Sequence, residues 1–141
     1  MKIIFVCHGS ICRSPAAKYI FKMLSNEHEV ISRALSHEES GNDIHPPMKE
    51  ELKRNNIPFS RHHATYLTNQ EFNECDYLFY MDSSNLRLLR YRFGDNNKIK
   101  PISIYTSDID EIEDPWYTDN YQKVVNQISR CVKDIISHLS H

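Results

Sequence analysis

Lys2-Ile3-Ile4-Phe5-Val6-Cys7-His8-Gly9-Ser10-Ile11-Cys12-Arg13-Ser14-Pro15 carries an apolar, β-branched run that breaks abruptly into a loop of small and polar residues. The run predicts a buried strand over residues 2–6, because large apolar side chains occupy both faces of its pleat. A helix is predicted at once after the loop, from about residue 14 to 25. Pro15 suits a first helical turn, and Ala17, Ile20, Phe21 and Leu24 recur at helical spacing.

The same alternation continues outward along the chain. Residues 29–34 read as a second strand, and Pro46-Pro47 can start a helix that runs to about residue 55. Thr68 with Glu71 three positions on forms a capping box for a short helix. Residues 77–81 give the clearest buried strand, ended by Asp82 and Ser83; Leu86, Leu89 and Phe93 mark one face of the helix after it. Residues 100–105 are a fourth strand candidate. An acidic loop then leads to a last helix carrying Tyr121, Val124, Val125, Ile128, Cys131, Val132, Ile135 and Leu139. Parallel neighbours need crossover connections, and those are usually helical. The expected fold is therefore α/β: a single three-layer domain over residues 1–141, its four-stranded parallel sheet flanked by helices on both faces. Ligands of such sheets sit beyond the carboxyl ends of the strands, where Cys7 and Asp82 both fall.

Composition narrows the function. The 17 Lys and Arg stand against 19 Asp and Glu, a net charge of −2, with no basic block to attract nucleic acid or anionic lipid. The opening apolar run ends at Cys7, too short for a secretory signal, and no stretch could span a bilayer. No nucleic-acid or membrane partner is expected, and the cytoplasm is the expected location. Cys7, Cys12, Cys75 and Cys131 are then read as reduced thiols, and no Cys-x-x-Cys pair suggests a structural metal.

The loop after the first strand holds the chemistry. Successive backbone N–H groups entering a helix N-terminus form a concave anion site, strengthened by the positive end of the helix dipole. A phosphate-binding loop is thus expected after strand 1, formed by His8, Gly9, Ser10, Ile11, Cys12 and Ser14. The same field favours a thiolate, which would make Cys7 the nucleophile. Arg13 can grip two phosphoryl oxygens with its planar fork. Ser14 can donate a hydrogen bond to the sulfur. Gly-Lys-Ser/Thr and Gly-x-Gly-x-x-Gly are both missing, which sets aside nucleotide-binding loops. A leaving alkoxide or phenoxide needs a proton, and Asp114-Pro115-Trp116-Tyr117 is the candidate source. Pro115 pushes Asp114 into an extended conformation, and Trp116 and Tyr117 offer flat walls to an aromatic ring. Asp114 is the expected general acid, and afterwards the base that activates water. An ordinary Asp-Pro turn, with Trp116 anchoring the last helix, is the competing reading of these residues.

With these motifs in place, the chain resembles the low-molecular-weight protein tyrosine phosphatases. Val6-Cys7 through Cys12-Arg13-Ser14-Pro15 resembles their catalytic loop, Asp114 to Tyr117 their general-acid loop, and Tyr77 to Asn85 their third strand and turn. The resemblance implies Cys7 as nucleophile, Arg13 as phosphate binder, Ser14 as donor to the thiolate and Asp114 as general acid. Trp116 and Tyr117 would flank the substrate ring. It places Ser32 and His62 in a polar network behind the loop, and makes Cys12 a redox partner able to form a reversible disulfide with Cys7. It implies no cofactor and no metal, and a phosphotyrosine-containing protein as partner, with a cognate tyrosine kinase supplying it. Departures from the family pattern are His8, Ser10 where Asn is usual, and Ser32-Arg33-Ala34-Leu35. Ser10 tolerates left-handed backbone angles less well than Asn, so Ser10→Asn is expected not to lower activity.

Three other functions fit the sequence less well. Thioredoxin-coupled arsenate reductases need two further cysteines after the third strand, and residues 82–93 contain none. A protein arginine phosphatase carries Thr where this chain has Ile11, whose branched apolar side chain favours tyrosine. A phosphoprotein-binding module without turnover would leave Cys7 and Asp114 no reason to coexist.

Overall fold

A computed structural model describes residues 1–140. The order of elements is β1 (Lys2–Cys7), α1 (Arg13–Leu24), β2 (Glu29–Ala34), α2 (Pro46–Arg54), α3 (Asn69–Glu74), β3 (Tyr77–Tyr80), α4 (Ser83–Phe93), β4 (Ile99–Pro101), α5 (Pro115–Thr118) and α6 (Tyr121–Leu139). The strands form one four-stranded sheet in the order β2-β1-β3-β4, and every neighbouring pair is parallel.

Strand β1 lies inside the sheet because both of its faces are apolar. Ile3, Phe5 and Cys7 belong to a core shared with Ile20 and Phe21 of α1, Met48 and Leu52 of α2, and Val125, Ile128 and Val132 of α6. Ile4 and Val6 point the other way, into a second core with Phe72 of α3, Leu78 of β3 and Leu89 of α4. Phe5 stacks on Phe79 at 5.7 Å and tilts against Phe21 at 6.2 Å, so aromatic packing ties β1 to β3 and α1. The expected three layers are thus present, with helices on both faces.

The capping signal at Thr68 acts as read, and the structure adds a second at α4. Thr68 and Glu71 make a reciprocal capping box at α3, and Asp82 and Asn85 make another at α4. Strand β3 ends one residue before Met81, whose amide turns to the Asn85 side chain at 3.0 Å. The fourth strand is shorter than the sequence suggests, three residues rather than six. Pro101 supplies no N–H. Past Ile102, whose amide still reaches Tyr80 at 2.9 Å, the chain turns, with Ile104 N–H bonded to the Pro101 carbonyl at 3.0 Å. Among the described residues no helix is long and apolar enough to cross a membrane.

This architecture brings the carboxyl ends of β1 and β3 and the segment before α6 to one edge. Cys7, Asp82 and Asp114 meet there from positions far apart in the chain.

Candidate active site

The loop from His8 to Cys12 leaves β1 and enters α1. Its carbonyls are held from outside: Leu35 N–H bonds to Cys7 and His8 carbonyls at 3.1 Å each, Ser36 N–H to His8 at 3.0 Å, and His45 N–H to Ile11 at 2.9 Å. His62 Nε2 donates to the Ser10 carbonyl at 2.6 Å. With the carbonyls fixed outward, none of the five amides from Gly9 to Arg13 donates to a protein group among the described residues. Five donors in succession at a helix N-terminus, with no side-chain cap on α1, make a nest for an anion.

Cys7 lies at the base of that nest, 3% exposed. Its sulfur is 3.4 Å from the Ser14 amide and 3.3 Å from the Ser14 hydroxyl. Both groups can donate to a thiolate, and the amide belongs to the first turn of α1. Behind Ser14 three hydroxyls close a triangle: Ser14 to Ser10 at 2.9 Å, Ser14 to Ser32 at 2.8 Å, and Ser10 to Ser32 at 2.7 Å. Ser32 and His62 thus stand in the expected network.

Ser10 adopts φ 57°, the left-handed region that a non-glycine residue enters at a cost. Asn would relieve that cost but must seat a larger side chain among Ser14 and Ser32. With the two effects opposed, Ser10→Asn is expected to keep kcat within about threefold of the parent, read in steady-state assays. A loss beyond tenfold would show that the serine hydroxyl is irreplaceable in the triangle. Burial holds the His62 imidazole below its ordinary value, so it stays neutral while its Nε2–H serves the Ser10 carbonyl. Its own amide donates to Asp43 at 2.9 Å.

Arg13 is 2% exposed and lines the same cavity. Nη1 donates to Asp82 Oδ2 at 2.7 Å and to the Ile112 carbonyl at 2.9 Å, and Nη2 reaches Asp114 Oδ2 at 3.4 Å. A guanidinium has five N–H groups, so Nε–H and one Nη2–H remain for a phosphoryl group. Asp82 was placed only at a strand end by the sequence, and the structure makes it the anchor of Arg13. Burial pushes its carboxyl up, but Arg13, the Asn85 amide and the Ser84 hydroxyl together outweigh burial and hold it below the usual range. The signal in sequence was a lone acid closing an apolar strand.

Asp114 has the extended backbone that Pro115 imposes, φ −83° and ψ 111°, and its Oδ1 caps the Trp116 amide at 3.0 Å. Trp116 and Tyr117 remain 53% and 84% exposed at the cavity mouth. His45 supports Trp116, with ring centroids 4.7 Å apart, a contact the sequence did not announce. Glu38 and Glu39 also line the mouth and were likewise missed. Gly9 matters to them: a Cβ there would come within 3.1 Å of Glu39 Cγ. Cys12 is buried at the end of the loop. Burial pushes its thiol well up, and neighbouring Cys7 and Asp114 add to the effect. The cavity itself is small, about 140 Å³, where sites that engulf a drug-sized ligand measure roughly 300–1,000 Å³. A phosphoryl group and the near edge of a ring fit inside, and the rest of a substrate must lie across the mouth.

A cysteine under a nest of amides, an arginine fork and a carboxylic acid at the mouth together define a cysteine-dependent phosphatase. Comparison with known proteins carries this to the family: residues 2–141 match low molecular weight phosphotyrosine protein phosphatase, and the chain belongs to that family. It is 31% identical to the low molecular weight protein-tyrosine-phosphatase YfkJ of Bacillus subtilis, over 99% of this chain and 96% of that one. The crystal structure of YfkJ superposes with a TM-score of 0.91, at 30% identity, covering 99% of this chain and 94% of that one. The human low molecular weight phosphotyrosine protein phosphatase is 35% identical over 93% of this chain and 90% of its own. A YwlE arginine phosphatase from Geobacillus stearothermophilus has a TM-score of 0.86 at 20% identity, covering 99% of this chain and 92% of that one, a likeness of fold alone.

Proposed function

We propose that this phosphatase hydrolyses phosphotyrosine on proteins through a cysteinyl-phosphate intermediate. The observation that carries the reading is the row of five undonated amides around the Cys7 sulfur, closed by the free N–H groups of Arg13. The Cys7 thiolate attacks phosphorus, the bond from phosphorus to the phenolic oxygen breaks, and Asp114 gives its proton to that oxygen. Asp114, now a carboxylate, takes a proton from water. The water oxygen attacks phosphorus, the S–P bond breaks, and inorganic phosphate leaves with the thiolate restored. The amides and Arg13 hold the equatorial oxygens throughout, and Ser14 supports the sulfur whenever it is anionic.

Ile11 lines the cavity. Its branched apolar side chain packs against a phenyl ring and offers nothing to a guanidinium, which favours phosphotyrosine over phosphoarginine. Four unpaired cysteines fit a reducing cytoplasm, with a tyrosine kinase supplying the substrate. Under hydrogen peroxide the Cys7 thiolate attacks a peroxide oxygen, the O–O bond breaks with loss of hydroxide, and a sulfenic acid forms; the Cys12 thiol then attacks that sulfur, the S–O bond breaks with loss of water, and a disulfide results.

The test is steady-state hydrolysis of p-nitrophenyl phosphate, a phosphotyrosine peptide and a phosphoarginine peptide, with EDTA throughout. Turnover of the first two, with the phosphoarginine peptide at least tenfold poorer in kcat/KM, supports the reading. Preference for phosphoarginine would replace the substrate. Asp114→Asn is expected to lower kcat for the phosphotyrosine peptide by about 10²-fold, the scale of general acid catalysis. An unchanged kcat would move that role to another group.

A further inference from the structure

We propose that Glu38 and Glu39 make this enzyme selective for phosphotyrosine sites flanked by Lys or Arg, and poor toward sites flanked by Asp or Glu. This inference rests on the phosphotyrosine reading above and adds the sequence context of the substrate.

Two observations fix where the flanking residues must run. Arg13, buried and aimed into the cavity with two N–H groups unengaged, sets the phosphoryl position at the floor. The cavity holds little beyond the phosphoryl group and ring edge, so the peptide backbone and neighbouring side chains cross the mouth. The charged groups at that mouth are acidic. Glu39 is held in place by Asn42, whose Nδ2 donates to its Oε2 at 2.6 Å. Glu38 lies 3.3 Å from His8 and is 73% exposed at its side chain. Asp114 shares the mouth, 28% exposed, but as the proton donor it is neutral when the substrate binds and adds no charge to the rim. The basic side chains of the adjoining segments are engaged elsewhere: Lys49 pairs with Asp43, and Arg61 lies 3.4 Å from the same carboxylate. Arg13, at the floor, serves the phosphate.

A phosphate-binding site with an anionic rim separates two recognition tasks by depth. The dianion is drawn to the floor by dipoles and one buried guanidinium. Residues beside the phosphotyrosine meet a negative field, which attracts Lys and Arg and repels the acidic runs. Exposed ion pairs are individually weak, so the preference is modest, and it is screened by salt. Gly9 is what allows Glu39 to lie so close over the loop: any side chain there would press on Glu39 Cγ.

The experiment compares kcat/KM for two phosphotyrosine peptides of equal length, one flanked by Lys and Arg and one by Asp and Glu. It uses the parent, Glu38→Gln, Glu39→Gln, the double variant and Glu39→Lys, at low and high salt. The parent is expected to favour the basic peptide about five- to tenfold at low salt, mainly through KM, and less at high salt. The double variant is expected to bring the ratio near one, and Glu39→Lys to tip it toward the acidic peptide. Because the ratio is internal to each variant, a general loss of activity cancels. A parent ratio near one, or a ratio indifferent to both glutamates, overturns the proposal. If the parent hydrolyses p-nitrophenyl phosphate but neither peptide, the selectivity fails with the protein substrate, while the phosphatase chemistry stands.

Discussion

Cys7→Ser is expected to abolish hydrolysis of p-nitrophenyl phosphate, by about 10⁴-fold or more, while inorganic phosphate still binds. The serine oxygen occupies nearly the same space under the same amides, so the nest and the Arg13 fork survive. What is lost is a nucleophile that the Ser14 amide and hydroxyl, 3.4 and 3.3 Å away, can hold as an anion. The alternative nucleophile is Cys12, five residues on in the same loop. Burial, Cys7 and Asp114 all press its thiol upward, away from the reactive form. Turnover is measured with p-nitrophenyl phosphate, and phosphate binding by isothermal titration calorimetry. Substantial turnover by Cys7→Ser, abolished by a further Cys12→Ser, would transfer the role to Cys12. Loss of both turnover and phosphate binding would show that the sulfur is part of the anion nest.

What was legible in the sequence was what local rules control. The strand, loop and helix around Cys7 follow from an apolar run, a glycine and a well-placed proline, all within 14 residues. The left-handed backbone at position 10 was suggested only by the Asn usual there in the resembled family, and Ser10 adopts it at φ 57°. Asp114 could be read because Pro115 fixes its backbone. By contrast, the Asp82 contact to Arg13 spans 69 positions and exists because β3 lies beside β1 in the sheet. No spacing rule encodes it. Glu38 and Glu39 sit in a polar loop whose composition says only that it is exposed, and their place at the mouth depends on how residues 35–45 fold back on the loop's carbonyls. The fourth strand was overestimated because Ile102 and Ile104 alternate as in a strand. Pro101 and the following turn interrupt the ladder instead.

Arg13→Lys keeps the charge and removes the geometry, and it is expected to lower kcat/KM for a phosphotyrosine peptide by about 10³-fold. The guanidinium holds Asp82, the Ile112 carbonyl and Asp114 with three N–H groups and leaves two more for phosphoryl oxygens. A single ammonium cannot reach from Asp82 to the phosphate while keeping both directions. Stability should fall as well, by several degrees in Tm at neutral pH, because Asp82 loses its strongest opposing partner to burial. The sign with pH follows from the direction of its shift. In the parent the folded carboxyl is held below its unfolded value, so its contribution is present above the unfolded value and is lost as pH falls through the folded one. In the variant the Asn85 amide and the Ser84 hydroxyl oppose burial without the guanidinium's hydrogen bond, so that contribution shrinks. The Tm gap between parent and Arg13→Lys is therefore widest near neutrality and closes as the medium becomes acidic. Adding Asp82→Asn to the variant removes the stranded carboxylate and is expected to restore much of the Tm without restoring turnover. A gap that stays constant with pH would separate the loss of stability from Asp82. An Arg13→Lys enzyme within tenfold of the parent would mean that a point charge suffices and the planar fork has no part in catalysis.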